Sequence, residues 1–241
     1  MIFIFDVDGT LTPSRAKINE HFGRWFTYWI NFQQSVGNQV WIISGSDLPK
    51  TVEQMGQPLV DLVDRCYNCM GNTLYIKGEM VYEREFVVPT ALTEYMDNAV
   101  IIGEWPHRYP PHIEHRPGMV NFSVVGRGSV GKQRTDYYEW DLVNGERAQI
   151  TKDINTIFGD ENISAHVGGE TGVDISYTGS DKGQIISDIN EPVVFFGDKL
   201  APGGNDYPLK VALSKHTQFN HVCQPVTDYS DTLKHLQNFY L

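Results

Sequence analysis

Three short segments of the chain are continuously apolar and then stop abruptly at polar residues. Met1–Val7 runs into Asp6 and Asp8, Gln39–Ser44 (QVWIIS) into Gly45-Ser46-Asp47, and Pro192–Phe196 (PVVFF) into Gly197-Asp198-Lys199. Runs of this length without alternation predict strands buried on both faces, as in a parallel sheet. Between the first two, Ile18, Phe22, Trp25, Phe26, Trp29 and Ile30 recur at spacings of three and four. That spacing predicts a helix with one apolar face. Strand, helix and strand in this order make a βαβ unit with a parallel sheet.

The texture changes from about Phe86 to Gly179. Shorter alternating segments, Met119–Val125 and Val173–Tyr177, lie among glycine-rich turns, with one helical pattern over Ile150–Phe158. A hairpin, Leu74–Val81 with Lys77-Gly78 at its turn, closes the first half. The prediction is an α/β core made of residues 1–86 and 180–241, interrupted by an inserted α+β domain over residues 87–179. No repeat or low-complexity segment suggests a solenoid or a disordered tail.

Composition narrows the function classes. The formal charge of −11 makes nucleic acid and anionic membrane surfaces poor partners. No stretch reaches the apolar length of a membrane span, and the first residues lack the features of a signal peptide. Cys66, Cys69 and Cys223 give no disulfide framework, so a reducing cytoplasm is the expected location. Cys66 and Cys69 form a C-x-x-C, but no second pair stands at zinc-site spacing. His107, His112 and His115 belong to a proline-rich loop. These residues read as core or turn cysteines and loop histidines.

In a parallel sheet the ligand site lies beyond the carboxyl ends of the strands. Asp6, Asp8, Ser44 and Asp198 should therefore converge there. Like charges at the end of a buried strand are costly, and a hard divalent cation with oxygen ligands would relieve the cost. A carboxylate beside Mg²⁺ can attack phosphorus, and a second carboxylate two residues on can move the proton. Lys182, in GSDKGQII before an apparent helix, would neutralise charge on the transferring group. Thr10 and Ser44, with the turn amides, would hold phosphate oxygens. Singly, each has a plainer reading: D-x-D is common in loops, such a lysine is usually solvated, and Ser44 is a turn residue. Together, in this order, they point to Mg²⁺-dependent phosphoryl transfer. Five of the nine arginines, Arg108, Arg116, Arg127, Arg134 and Arg147, sit within forty residues of the insert. Their number alone fits a solvated face as well as a phosphate grip.

The segments DVDGTLT, the serine after the second strand, Lys182 and GDKLAPGGND resemble the four motifs of the haloacid dehalogenase-like (HAD) phosphotransferases. Further, DVDGTLTPSRAKI, ISGSD, RPGMVNFSVVGRGSVGKQR, VGGETGVDIS, SDKG and FFGDKLAPGGND resemble the eukaryotic-type phosphomannomutases in order and spacing over nearly the whole chain. The resemblance implies a Rossmann-like core with an inserted cap. It implies Asp6 as nucleophile and Asp8 as general acid/base. Mg²⁺ would be held by Asp6, the Asp8 carbonyl and Asp198, with Asn205 and Asp206 completing or orienting the site. Arg15 and the cap residues Arg116, Asn121, Arg127, Arg134 and Asp174 match positions that hold the sugar and its distal phosphate. Arg108 and Arg147 match nothing and revert to the surface. The implied reaction interconverts mannose 6-phosphate and mannose 1-phosphate, with a hexose 1,6-bisphosphate as activator. A homodimer through the cap and hinges near Phe86–Pro89 and Gly179–Asp181 are also expected.

Some residues depart from the family pattern. Gly172 stands where a phosphate-binding serine is usual, Glu170 replaces a glutamine, and Ser180 replaces a tryptophan. Ser44 is glycine in these mutases and Ser or Thr in HAD phosphatases, and the segment from Glu85 to His115 is shorter and rich in proline. Two enzyme readings stay open on the sequence: a hexose phosphomutase, or a HAD phosphatase acting on a sugar phosphate or similar small phosphoester. A binding protein without turnover is the third, and the presence of both Asp6 and Asp8 opposes it. Mannose against glucose stays open as well.

Overall fold

The apolar start of the chain forms β1 (Ile2–Asp6), buried throughout. Helix α1 (Glu20–Ser35) follows, opened by Asn19, whose side chain accepts from the amides of His21 and Phe22. Then come β2 (Gln39–Ile43), α2 (Leu48–Met55), α3 (Gln57–Leu62) and β3 (Arg65–Asn68). Strands β4 (Thr73–Ile76) and β5 (Glu79–Glu83) make the expected hairpin. Its turn residues Lys77 and Gly78 have φ of 51° and 79°, as a two-residue turn of the favoured hand requires. The next stretch contains α4 (Thr90–Ile102), β6 (Ile113–Arg116), β7 (Met119–Phe122), α5 (Lys132–Asn144), α6 (Glu146–Ile157), β8 (Ile163–Gly168) and β9 (Gly172–Tyr177). The chain ends with β10 (Val193–Gly197), α7 (Tyr207–Lys215), β11 (Val222–Pro225) and α8 (Tyr229–Phe239). This computed structural model describes residues 1–239. It contains two compact units, Met1–Glu83 with Gly179–Leu241, and Arg84–Thr178.

In the first unit the strand order is β11-β10-β1-β2-β3-β4-β5, parallel from β11 to β3 and antiparallel beyond. Alternate residues of each central strand enter different cores. Phe3, Phe5, Val40, Ile42, Val194 and Phe196 pack with Phe22, Phe26, Trp29 and Ile30 of α1. Ile2, Ile4, Trp41, Ile43, Val193 and Phe195 pack on the other face with Ile185, Leu209 and Leu213. Both faces being covered is why these strands read as unbroken apolar runs. Phe5 stacks on Phe196 at 4.8 Å between centroids, and Phe3 meets Trp29 edge-on at 5.0 Å. Each such side chain, fully buried, contributes about 1.5–3 kcal/mol. The helix apparent in the sequence at Lys182 is a 3₁₀ helix, Lys182–Asp188.

The second unit is an antiparallel sheet in the order β6-β7-β9-β8. One face, with Val120, Phe122, Ala165, Val173 and Ile175, packs on Leu92, Met96 and Ala99 of α4 and on Ile150 and Ile154 of α6. The strand expected over Met119–Val125 stops at Phe122, and the helix expected over Ile150–Phe158 runs from Glu146 to Ile157. Arg108 and Arg147 are not the solvated surface arginines that the sequence suggested. Arg108 donates to the carbonyls of Val100 and Gly103, each at 2.9 Å, and so closes the carboxyl end of α4. Arg147 is 3% exposed, pairs with Asp141 at 2.7 Å and donates to the Gly169 carbonyl at 2.8 Å.

The C-x-x-C is core, as expected. Cys66 accepts from the Asn68 amide at 3.2 Å, and burial pushes its thiol up to about 12. Among the described residues, no helix is long and apolar enough to cross a membrane.

Candidate active site

Asp6 ends β1, and its parallel neighbours β2 and β10 end beside it, so Ser44 and Asp198 follow at the same edge. Lys182, fully buried, donates through Nζ to Asp6 Oδ1 and, at 2.7 Å, to Asp206 Oδ1. The other oxygen of Asp206 accepts from the Lys199 amide at 3.0 Å. One carboxylate oxygen each from Asp6, Asp198 and Asp206 lies within 4.8 Å of the others. Three carboxylates facing one buried ammonium leave an excess of negative charge. Burial, against the pull of Lys182, raises the Asp6 carboxyl, and burial raises that of Asp198. Burial would lower the Lys182 ammonium, but attraction to Asp6 and Asp206 outweighs it and raises it.

Several buried oxygens here have no partner: Asp6 Oδ2, Asp198 Oδ1, Asn205 Oδ1 and Thr10 Oγ1. Buried polar atoms are nearly always paired, so a set of orphans marks a place for something else. All are hard oxygen donors, two of them anionic. The set fits a hard divalent cation and a phosphate. Gly9 serves this packing directly. Its φ is +80°, and a Cβ there would stand 2.5 Å from Asp198 Oδ2.

Asp8 stands outside this group of three carboxylates. Its Oδ1 accepts from the Arg15 amide at 2.6 Å and from Gln54 Nε2 at 2.8 Å. Gln54, on α2 and 1% exposed, also donates to Thr12 Oγ1 at 3.2 Å. No reading of the sequence singled it out, and nothing near it in the chain could have done so. Arg15 is exposed at φ 57°, and its backbone rather than its guanidinium meets Asp8. Thr10 is fixed through its carbonyl, which accepts from Thr232 of α8 at 2.7 Å. Ser44 Oγ accepts from the Ser46 amide at 3.0 Å and keeps its own proton to give.

The second unit assembles its candidates on the sheet face away from its core. Glu114, Asn121, Asp174 and His166 stand opposite one another across all four strands. Asn121 donates to Asp174 at 2.5 Å. Each candidate arginine already holds a carboxylate: Arg116 and Arg127 both pair with Glu114, at 2.9 and 2.7 Å, and Arg134 pairs with Glu170 at 3.1 Å. Glu114 is held below the usual carboxylate range, chiefly by the Arg116 hydrogen bonds. Gly172 is explained by its neighbour. A Cβ there would lie 2.5 Å from Asn121 Nδ2 and 2.6 Å from its Oδ1.

A parallel sheet whose carboxyl edge gathers a D-x-D, a buried lysine and an acidic cluster defines a HAD-like enzyme. Solved structures agree on the fold. A haloacid dehalogenase-like hydrolase from Bacteroides thetaiotaomicron is similar at TM-score 0.58 and 15% identity, over 99% of both chains. A trehalose-6-phosphate phosphatase of Aspergillus fumigatus is similar at TM-score 0.57 and 16% identity, over 98% of this chain and 91% of that one. In sequence, the model of the eukaryotic phosphomannomutase family matches residues 30–241. A phosphomannomutase of Saccharomyces cerevisiae is 30% identical over 220 residues, 87% of this chain and 85% of that protein. A probable phosphomannomutase of Caenorhabditis elegans is 31% identical over 252 residues, 98% and 94% of the two chains. The chain belongs to the eukaryotic phosphomannomutase family.

Proposed function

We propose that the chain interconverts mannose 6-phosphate and mannose 1-phosphate by phosphoryl transfer through Asp6. The observation that carries this reading is the buried Lys182, shared by Asp6 and Asp206, beside unpartnered oxygens of Asp6 and Asp198. An Asp6 oxygen attacks phosphorus, the bond from phosphorus to the sugar oxygen breaks, and Asp8 gives that oxygen its proton. In the return step a sugar hydroxyl attacks the aspartyl-phosphate, Asp8 takes its proton, and Asp6 is freed. Lys182 offsets charge on the transferring group, and Thr10 and Ser44 bind its oxygens.

Asp6, the Asp8 carbonyl, Asp198 and Asn205 would hold Mg²⁺. Asp206 orients Lys182, because both its oxygens already accept hydrogen bonds. When bound, Mg²⁺ supplies charge neutralisation at the transferring phosphoryl oxygens. Arg15 and the inserted unit supply the hold on the sugar and the phosphate that is not reacting, through Arg116, Asn121, Arg127, Arg134 and Asp174. Hydrolysis of a small phosphoester is the second reading, and Ser44 with Gly172 favours it. A homodimer through the inserted unit belongs to the proposal, supported by exposed Ile101, Ile102, Leu142 and Val143.

Incubation with ³²P-labelled mannose 1,6-bisphosphate and Mg²⁺ tests the chemistry. A labelled protein that hydroxylamine discharges is expected, because hydroxylamine cleaves an acyl phosphate. Asp6→Asn should abolish both label and turnover, the latter by about a thousandfold or more. Normal turnover in that variant would refute the nucleophile assignment.

A further inference from the structure

Glu170 lies in the turn between β8 and β9, and that turn is fixed at both sides. The Gly169 carbonyl accepts from buried Arg147, and the Thr171 carbonyl accepts from buried Ser123, each at 2.8 Å. The turn thus presents Glu170 to a definite place, where its Oε2 accepts from Nε of Arg134 in the first turn of α5 at 3.1 Å. Resting on the proposed function, Arg134 holds the distal phosphate. Its guanidinium is planar, and the Nε edge that suits side-on binding of an anion is already occupied by a carboxylate. A phosphate dianion arriving at the remaining edge would stand well within a Debye length of Glu170. It would meet an arginine whose charge is already opposed.

We propose that Glu170 is a specificity-determining residue: its carboxylate opposes the second phosphate at Arg134 and makes the enzyme release hexose bisphosphate more readily. Specificity is a difference of affinities, and a repulsive element sets it as surely as an attractive one. The missing hydroxyl at Gly172 acts in the same direction, and the space its Cβ would need is filled by Asn121.

The test is calorimetric titration of mannose 1,6-bisphosphate into the full chain carrying Asp6→Asn, which stops turnover during the measurement. Glu170→Gln keeps an acceptor oxygen for Arg134 Nε and removes only the charge. It should bind the bisphosphate about two- to fivefold tighter, with the gain shrinking as salt rises. Glu161→Gln, which removes the same charge ahead of β8 and away from that turn, should change binding less than twofold. Arg134→Ala should weaken binding by tenfold or more. Unchanged or weaker binding by Glu170→Gln, with Arg134→Ala still damaging, would overturn the role of Glu170 and leave the mutase reading intact. Absence of bisphosphate binding in every variant, or indifference to Arg134→Ala, would overturn the mutase reading and the Glu170 role with it.

Discussion

Asp8 is oriented by Gln54, a side chain 46 residues further along the chain. That hydrogen bond, with the Arg15 amide, fixes the carboxylate proposed to move the proton. Gln54→Ala should lower kcat about 10- to 100-fold, as loss of an orienting partner commonly does, while KM changes little. Steady-state kinetics would check the split, and an equal fall in affinity would mean that Gln54 acts on substrate binding instead. The D-x-D itself was legible in the sequence, because an apolar strand ending in two acids and a Gly-Thr turn is a local pattern. Lys182 was legible as a residue, but its double pairing and complete burial were not, since its partners are 176 and 24 positions away. Gln54 left no local trace at all.

The elements divide by how they bury their surfaces. β1, β2 and β10 are apolar on both faces, and their sequences say so without help. α5 hides only Tyr137 and Asp141, so no apolar stripe marked it. α4 does bury Leu92, Met96 and Ala99 at helical spacing, a pattern obscured by apolar Val100, Ile101 and Ile102 at its end. Arg147 is the structural centre of this region, because it joins α6 to Asp141 of α5 and to the β8–β9 turn. Removing one partner of a buried ion pair strands the other charge. Arg147→Ala should therefore cost about 3–5 kcal/mol, read as a lowered melting temperature and denaturation midpoint. A change within half a kcal/mol would return Arg147 to the solvated surface.

At the scale of the molecule, the division of the sequence at a change of texture gave boundaries of 86/87 and 179/180, and the compact units part at 83/84 and 178/179. The expected edges fall three residues and one residue beyond those of the units. The inserted unit exposes Ile101 at 77%, Ile102 at 79% and Val143 at 86%, apolar side chains that a contact between two copies would cover. If this surface joins two copies, Ile101→Lys with Ile102→Lys should halve the mass found by sedimentation equilibrium. A wild-type monomer would contradict the dimer. The central claim, transfer of phosphate between two oxygens of one sugar rather than to water, is tested most directly by phosphorus NMR. Purified protein with Mg²⁺ and mannose 1-phosphate is followed with and without a trace of mannose 1,6-bisphosphate. Mannose 6-phosphate should appear at constant total ester, faster with the bisphosphate; accumulation of inorganic phosphate in its place would contradict the account.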